Sequence, residues 1–184
     1  MHTTDIARNR NGFEQLKDAD FRQLFHERLN SLMQDLEYQV VACAIRKNLH
    51  RDLYGPMAQD PYMFSLRVLV ERFCYEIGVE EHGGEIVAEK RNPLVDRELD
   101  AAWMDLRTSG TYDMQSAKIQ RRIVDLTSRH KQANNAALQL ADLIVSPIGC
   151  FVLGKPVQKD FSIIESKFGR QGNNYHGCGL VVLP

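Results

Sequence analysis

One acidic side chain, Asp142, lies in the middle of the longest apolar stretch of this chain. Residues 136–153 read AALQLADLIVSPIGCFVL, and Asp142 carries the only formal charge among them. Burying an ionised carboxylate costs several kcal/mol unless the group is paired, hydrogen-bonded or bound to a metal. The composition of the stretch predicts the most buried helix of the fold, so the acid within it is the first candidate for a functional residue.

The overall charge excludes a global field that attracts nucleic acids or membranes. The net charge is −1 over 184 residues and the pI is about 6.6, although a local basic patch is compatible with both values. A chain of this length is most simply one domain with its own core. Residues 136–153 barely reach the length of a membrane span and contain polar side chains, so we expect no membrane association.

The four cysteines do not form a CxxC pair, which favours reduced thiols over a disulfide framework. The first residues, MHTTDIARNRNG, are polar and do not resemble a secretory signal. Both observations predict a cytoplasmic protein.

Helix and strand patterns alternate along the chain, which predicts an α/β layered domain. Helices are recognised by apolar residues at three- and four-residue spacing, and strands by short apolar runs. The predicted helices cover residues 18–36, 61–77, 92–106, 136–153 and 161–168, and the predicted strands cover 38–45, 85–89, 123–126 and 179–183. Residues 1–12 and 47–60 are predicted to be irregular, the second as a polar connection.

A second acidic side chain, Glu89, ends the predicted strand 85–89. In α/β sheets the loops at the carboxyl ends of the strands bind ligands. Mg²⁺ and similar hard cations prefer a few carboxylates completed by water and phosphate oxygens. We therefore predict Glu89 and Asp142 as metal ligands and catalytic residues. The alternatives are structural: Asp142 caps another helix or pairs with an arginine, and Glu89 is a solvated edge residue.

A basic stretch precedes the apolar helix. Between residues 118 and 131 it contains one acid, Asp125, and six basic side chains: Lys118, Arg121, Arg122, Arg129, His130 and Lys131. Such side chains bind phosphates. The residues predicted to contact a substrate are Arg129 and Lys131 from this stretch, together with Arg91, which follows the predicted strand 85–89. The alternative is an ordinary solvated surface. Aromatic residues are not interleaved with the basic ones, so no base-stacking platform is predicted.

Three stretches together resemble a bacterial and phage family known as domain-of-unknown-function family thirty-eight-hundred. They are HTTDI at 2–6, IVAEKR at 86–91 and LQLADLIVSP at 138–147, and the order of elements is similar over nearly the whole chain. The resemblance implies a ribonuclease H-like fold over residues 1–184, a three-layer domain with a mixed sheet flanked by helices. It also makes Glu89 and Asp142 the second and third acidic positions of a metal site.

The chain departs from that family at one place. Family members open with a strand carrying Asp-Glu-Ser-Gly, and no such motif occurs here. The resemblance therefore implies that the N-terminal strands and the first acidic ligand are missing. Exposed sheet edges favour self-association, so we expect a homo-oligomer formed through them.

The resemblance implies a nuclease that hydrolyses phosphodiesters with Mg²⁺ or Mn²⁺ held by Glu89 and Asp142, and that is inactive in this short form. The alternative is a non-catalytic interaction or nucleic-acid-binding module that retains the fold. No Walker loop, GxSxG elbow, HExxH or GxGxxG motif points to another enzyme class. If Asp142 is an unpaired buried charge, Asp142→Asn is expected to leave stability unchanged or raise it.

Overall fold

The computed structural model describes residues 3–78, 83–157 and 159–184. The helices are α1 (Thr3–Ala7), α2 (Ala19–Asp35), α3 (Lys47–Tyr54), α4 (Pro61–Ile77), α5 (Pro93–Ser109), α6 (Ser116–Arg122), α7 (Ala136–Val152) and α8 (Lys159–Ser166). The strands are β1 (Ala42–Ile45), β2 (Gly84–Glu89), β3 (Ile123–Arg129) and β4 (Leu180–Leu183). The mixed α/β class predicted from the sequence is confirmed, with small parallel sheets flanked by helices.

The chain divides into two compact units. The first unit comprises the described residues of Met1–Val40 and Asn134–Phe168, and the second comprises those of Val41–Ala133 and Gly169–Pro184. Each unit is assembled from two separate segments of the sequence. The prediction of one domain over residues 1–184 is not tested by this division and stays a prediction.

The first unit is built from helices α1, α2, α7 and α8. The side chain of Asp18 caps α2 by accepting a hydrogen bond from the N–H of Phe21, and Asn135 caps α7 in the same way through the N–H of Leu138. The rings of Phe151 and Phe161 stack with their centroids 4.3 Å apart, which joins α7 to α8.

The prediction that residues 136–153 form the most buried helix is wrong. The helix itself is confirmed as α7, but Ile148 is its one buried residue, and 66% of Val145 is exposed. Asp142 is part-buried. Many of the apolar side chains of α7 are thus only partly buried among the described residues. The carboxylate of Asp142 is therefore only partly removed from solvent.

The second unit contains two parallel two-stranded sheets, β1 with β4 and β2 with β3. Its core is formed by buried side chains from α4, α5, α6, β3 and the loop after α5: Val70, Cys74, Leu99, Trp103, Leu106, Met114, Ile119, Ile123 and Leu126. Within the described ranges β2 pairs with β3 alone, so one of its edges has no strand partner there. Self-association through such an edge stays a prediction.

Several predicted boundaries are confirmed closely. Asp60 caps α4 ahead of Pro61, and Asn92 caps α5 ahead of Pro93; each side chain accepts hydrogen bonds from two backbone N–H groups. Gly110 ends α5 with a φ of 76°, and a Cβ there would lie 2.6 Å from the carbonyl oxygen of Met114. Glycine is therefore required at this stop.

Three of the irregular or strand predictions are wrong in part. Residues 47–60 are not only a connection, because α3 forms where the ring of His50 takes an apolar position, 5.5 Å from the ring of Phe64. Residues 3–7 are helical rather than irregular. The strand predicted over 38–45 is shortened to β1, preceded by a single bridge between Val40 and Phe168.

No helix within the described ranges combines the length and the hydropathy needed to cross a membrane.

Candidate functional site

The carboxyl ends of β2 and β3 lie side by side, because the two strands are parallel. Their register pairs Glu89 with Arg129, and the N–H of Lys90 donates to the carbonyl oxygen of Arg129 over 2.9 Å. We call residues 89–91 and 129–131 the carboxyl edge. All six side chains are exposed. The structure therefore brings together four of the five predicted site residues: Glu89, Arg91, Arg129 and Lys131.

The alternation of each strand directs Glu89 away from the core. Ile86 and Ala88 pack against the buried cluster of the second unit, so Glu89 falls on the opposite face. On β3, Ile123 and Leu126 are buried and anchor that strand to the same cluster. The site thus consists of polar residues that continue two strands whose inner faces are fixed by packing.

The turn after β2 holds Arg91 in place. Its backbone N–H donates to Oδ1 of Asp96 over 2.9 Å, and its guanidinium carbon lies 5.5 Å from the centroid of the Tyr62 ring. A cation over an aromatic ring at this distance gains about 0.5–1 kcal/mol at an exposed site. Tyr62 could not be recognised as a site residue from the sequence, because its contact with Arg91 joins the first turn of α4 to a distant loop.

The basic stretch between residues 118 and 131 is divided by β3. Arg121 and Arg122 precede the strand, while Arg129 ends it, and the six strand residues 123–128 separate the two groups by roughly 20 Å. Nη1 of Arg122 donates to the carbonyl oxygen of Cys74 over 2.7 Å, so that guanidinium contributes to the fold. Of the basic stretch, only residues 129–131 belong to the carboxyl edge.

Asp142 belongs to the first unit and stabilises the beginning of α1. Its Oδ2 accepts hydrogen bonds from the backbone N–H and from the hydroxyl of Thr3, each over 2.9 Å. This contact matches the structural alternative in which the carboxylate caps another helix. His2, the first residue of the HTTDI stretch, lies outside the described residues.

A divalent cation such as Mg²⁺ needs several oxygen ligands close together. Over residues 3–78, 83–157 and 159–184 there is no group of three or more His, Cys, Asp or Glu side chains placed to hold a metal ion. Glu89 is in the second unit and Asp142 in the first, where its Oδ2 already serves Thr3. The metal role of Glu89 and Asp142 therefore has no third described ligand beside it and stays a prediction.

Two of the four cysteines, Cys43 and Cys74, are poor candidates for a reactive centre. Burial raises the pKa of the Cys43 thiol to about 11. Burial likewise raises the pKa of Cys74, more than the nearby Arg122 lowers it. A thiol that keeps its proton is a poor nucleophile and a poor metal ligand. Neither of these two thiols therefore adds to the chemistry of the carboxyl edge.

No family model, no curated protein and no solved structure matches this chain.

Proposed function

We propose that this protein binds nucleic acid through the phosphate backbone, and that the carboxyl edge of the β2–β3 sheet is the contact surface. The observation that carries the proposal is the parallel register that sets Arg129 beside Glu89. It places the cationic side chains of two loops on one exposed edge of the second unit. The proposed protein is a nucleic-acid-binding module of the ribonuclease H-like type.

The charges of the carboxyl edge suit a polyanion. Lys90, Arg91, Arg129 and Lys131 face solvent with one acid among them, Glu89. Arginine forks bind phosphate oxygens through two parallel hydrogen bonds, and lysine adds a point charge. The ring of Tyr62 contacts Arg91, so we do not assign it to base stacking. Such contacts support affinity with little sequence preference.

The second candidate function is metal-dependent hydrolysis of phosphodiesters with Mg²⁺ or Mn²⁺ at Glu89 and Asp142. The observation that favours it is the position of Glu89 at the carboxyl end of a parallel strand, where ligands of α/β proteins bind.

The four free thiols accord with a reducing compartment such as the cytoplasm.

Fluorescence anisotropy with labelled DNA and RNA tests the binding proposal. Replacing both Arg129 and Lys131 by Ala is expected to weaken binding by about tenfold or more, since two phosphate contacts are lost. The matched control removes two exposed charges from α2 in the first unit, Arg22→Ala with Arg28→Ala, and is expected to change affinity by about twofold at most. Equal losses in the two double variants would overturn the proposal.

Calorimetry with Mn²⁺ separates the two candidate functions. The hydrolase requires that Glu89→Gln and Asp142→Asn each weaken Mn²⁺ binding and that both abolish any nuclease activity. The binding module requires nucleic-acid affinity that is independent of the metal and unaffected by Asp142→Asn. Metal affinity that is identical in the parent and both variants would remove the hydrolase candidate and leave the binding module in place.

A further inference from the structure

A polar cavity in the second unit lies apart from the carboxyl edge. It has a volume of about 450 Å³, within the usual range for small-molecule sites. We call it the arginine pocket. Its lining comes from the last turns of α4 and from the segment before β4: Arg72, Tyr75, Glu76, Arg170, Gln171 and Cys178.

The arginine pocket and the carboxyl edge lie near opposite ends of α4. Tyr62, which contacts Arg91, lies in the first turn of the helix, whereas Arg72 follows nearly three turns later. At 1.5 Å per residue the two positions are roughly 15 Å apart along the helix axis. A ligand in the pocket is therefore independent of the phosphate contacts proposed above.

The guanidinium of Arg72 is held in place by packing. Its carbon lies 5.7 Å from the centroid of the Tyr75 ring, and its Nε is enclosed without a hydrogen-bond acceptor anywhere in the described part of the chain. Because Nε is closed to solvent, an anionic oxygen in the cavity contacts the part of the Arg72 side chain that lines the pocket.

Arg170 brings a second guanidinium to the pocket from a compact loop. Its carbon lies 5.2 Å from the centroid of the Tyr175 ring, and its Nη1 donates to the carbonyl oxygen of Asn173 over 3.3 Å. The backbones of Gln171 and Asn174 hydrogen-bond to each other in both directions and close this loop. The second cation is thus oriented by its own loop.

The charges of the pocket define the class of ligand. Two guanidinium groups match the two negative charges and the planar sets of oxygens of a phosphomonoester. Glu76 repels a bare anion but accepts hydrogen bonds from hydroxyl groups attached to it. We propose that the arginine pocket binds a sugar phosphate of the ribose 5-phosphate type, with the phosphate on Arg72 and Arg170 and a sugar hydroxyl on Glu76.

Titration calorimetry with ribose 5-phosphate, inorganic phosphate and ribose tests the assignment. We expect Arg72→Gln and Arg170→Gln each to weaken ribose 5-phosphate binding by about tenfold or more. Arg67→Gln, on the same helix and outside the pocket, is the control and should change it by about twofold at most. Absence of binding to the parent protein, or equal binding by Arg170→Gln, would overturn the proposal. Because Arg170 is exposed, its variant tests the site even if Arg72→Gln fails to fold.

Glu76→Gln distinguishes a sugar phosphate from a simple anion. The variant should weaken ribose 5-phosphate and leave inorganic phosphate bound as well as before or better, since a repulsive charge is removed while a hydroxyl acceptor is weakened. The same loss or gain for both ligands would contradict the role of Glu76 and the sugar assignment.

Alkylation of Cys178 provides a readout at the pocket itself. Ribose 5-phosphate should slow the modification of Cys178, which lines the pocket, and leave that of Cys150 in the first unit unchanged. A 5′-phosphorylated oligonucleotide that protects Cys178 more than its 5′-hydroxyl form would identify a nucleic-acid end as the source of the sugar phosphate. Protection by the free sugar phosphate alone would identify a free metabolite. Absence of protection by either would contradict the site.

Discussion

The carboxylate of Asp142 stabilises the local fold through Thr3, whatever further role it has. One oxygen accepts from both the backbone N–H and the hydroxyl of Thr3 at the start of α1. Hydrogen bonds to a charged acceptor contribute more than those between neutral groups. The sequence predicted correctly that this acid needs a partner, but a partner 139 residues away along the chain was not visible in it.

Replacing Asp142 by Asn should destabilise the protein, contrary to the expectation drawn from an unpaired charge. The loss of a charge-assisted acceptor is expected to lower the free energy of unfolding by about 1–2 kcal/mol. Urea denaturation measures the change, with Asp100→Asn, an exposed acid on α5, as the control. Thr3→Ser retains the hydroxyl and should preserve stability, whereas Thr3→Ala should not. An Asp142→Asn variant as stable as the parent would contradict the capping role.

Cys43 makes stability depend on alkaline pH. Burial raises the pKa of its thiol from the ordinary value of 9.0 to about 11. The folded protein therefore keeps this proton at pH values where the unfolded chain releases it. The corresponding stability is fully present below pH 9.0 and is lost as the pH rises through about 11. Urea denaturation of the parent and Cys43→Ala over this window should show a steeper decline in the parent, and identical declines would contradict the shift.

The helices that were predicted well are those whose ends are marked locally. Asp60 with Pro61 and Asn92 with Pro93 define where α4 and α5 begin, because a side-chain cap and a proline need only their own neighbours. The helix α3 was missed because its buried position is occupied by His50, which is 3% exposed. A histidine on an apolar face is read as polar from sequence, and only the packing against Phe64 reveals it.

Two glycines in different elements should respond oppositely to alanine. A Cβ on Gly84 in β2 would collide with Ile77 and lie 2.6 Å from Cζ of Phe73, so Gly84→Ala should lower the free energy of unfolding by about 1–3 kcal/mol. A Cβ on Gly149 in α7 meets no described atom within 4 Å, so Gly149→Ala should raise it by about 0.5–1 kcal/mol. Thermal or urea denaturation measures both. Changes of the same sign would show that the packing around one of these glycines differs from that described.

At the scale of the whole molecule, the arrangement of segments was the least predictable feature. Each unit combines residues from both halves of the chain, and no local pattern records which segments will meet. The position of Glu89 at the carboxyl end of a strand was predicted by a general rule, whereas its pairing with Arg129 was not, because the partner of β2 cannot be read from local patterns. The stacking of Arg91 on Tyr62 and the arginine pocket depend on tertiary contacts and could not be inferred from spacing.

The charge balance of the molecule makes the salt dependence of binding informative. With 23 basic and 24 acidic side chains, the overall field does not attract a polyanion. Affinity for nucleic acid must then come from the local cluster at the carboxyl edge, and the number of phosphates it neutralises sets the slope of log K against log salt.

The most direct measurement is this slope for the parent and for the variant with Arg129→Ala and Lys131→Ala, on one duplex of fixed length. We expect the magnitude of the slope to fall by about two in the variant, roughly one unit for each lost phosphate contact. Two parallel lines would mean that neither side chain touches a phosphate, and would contradict the assignment of the carboxyl edge as the nucleic-acid contact.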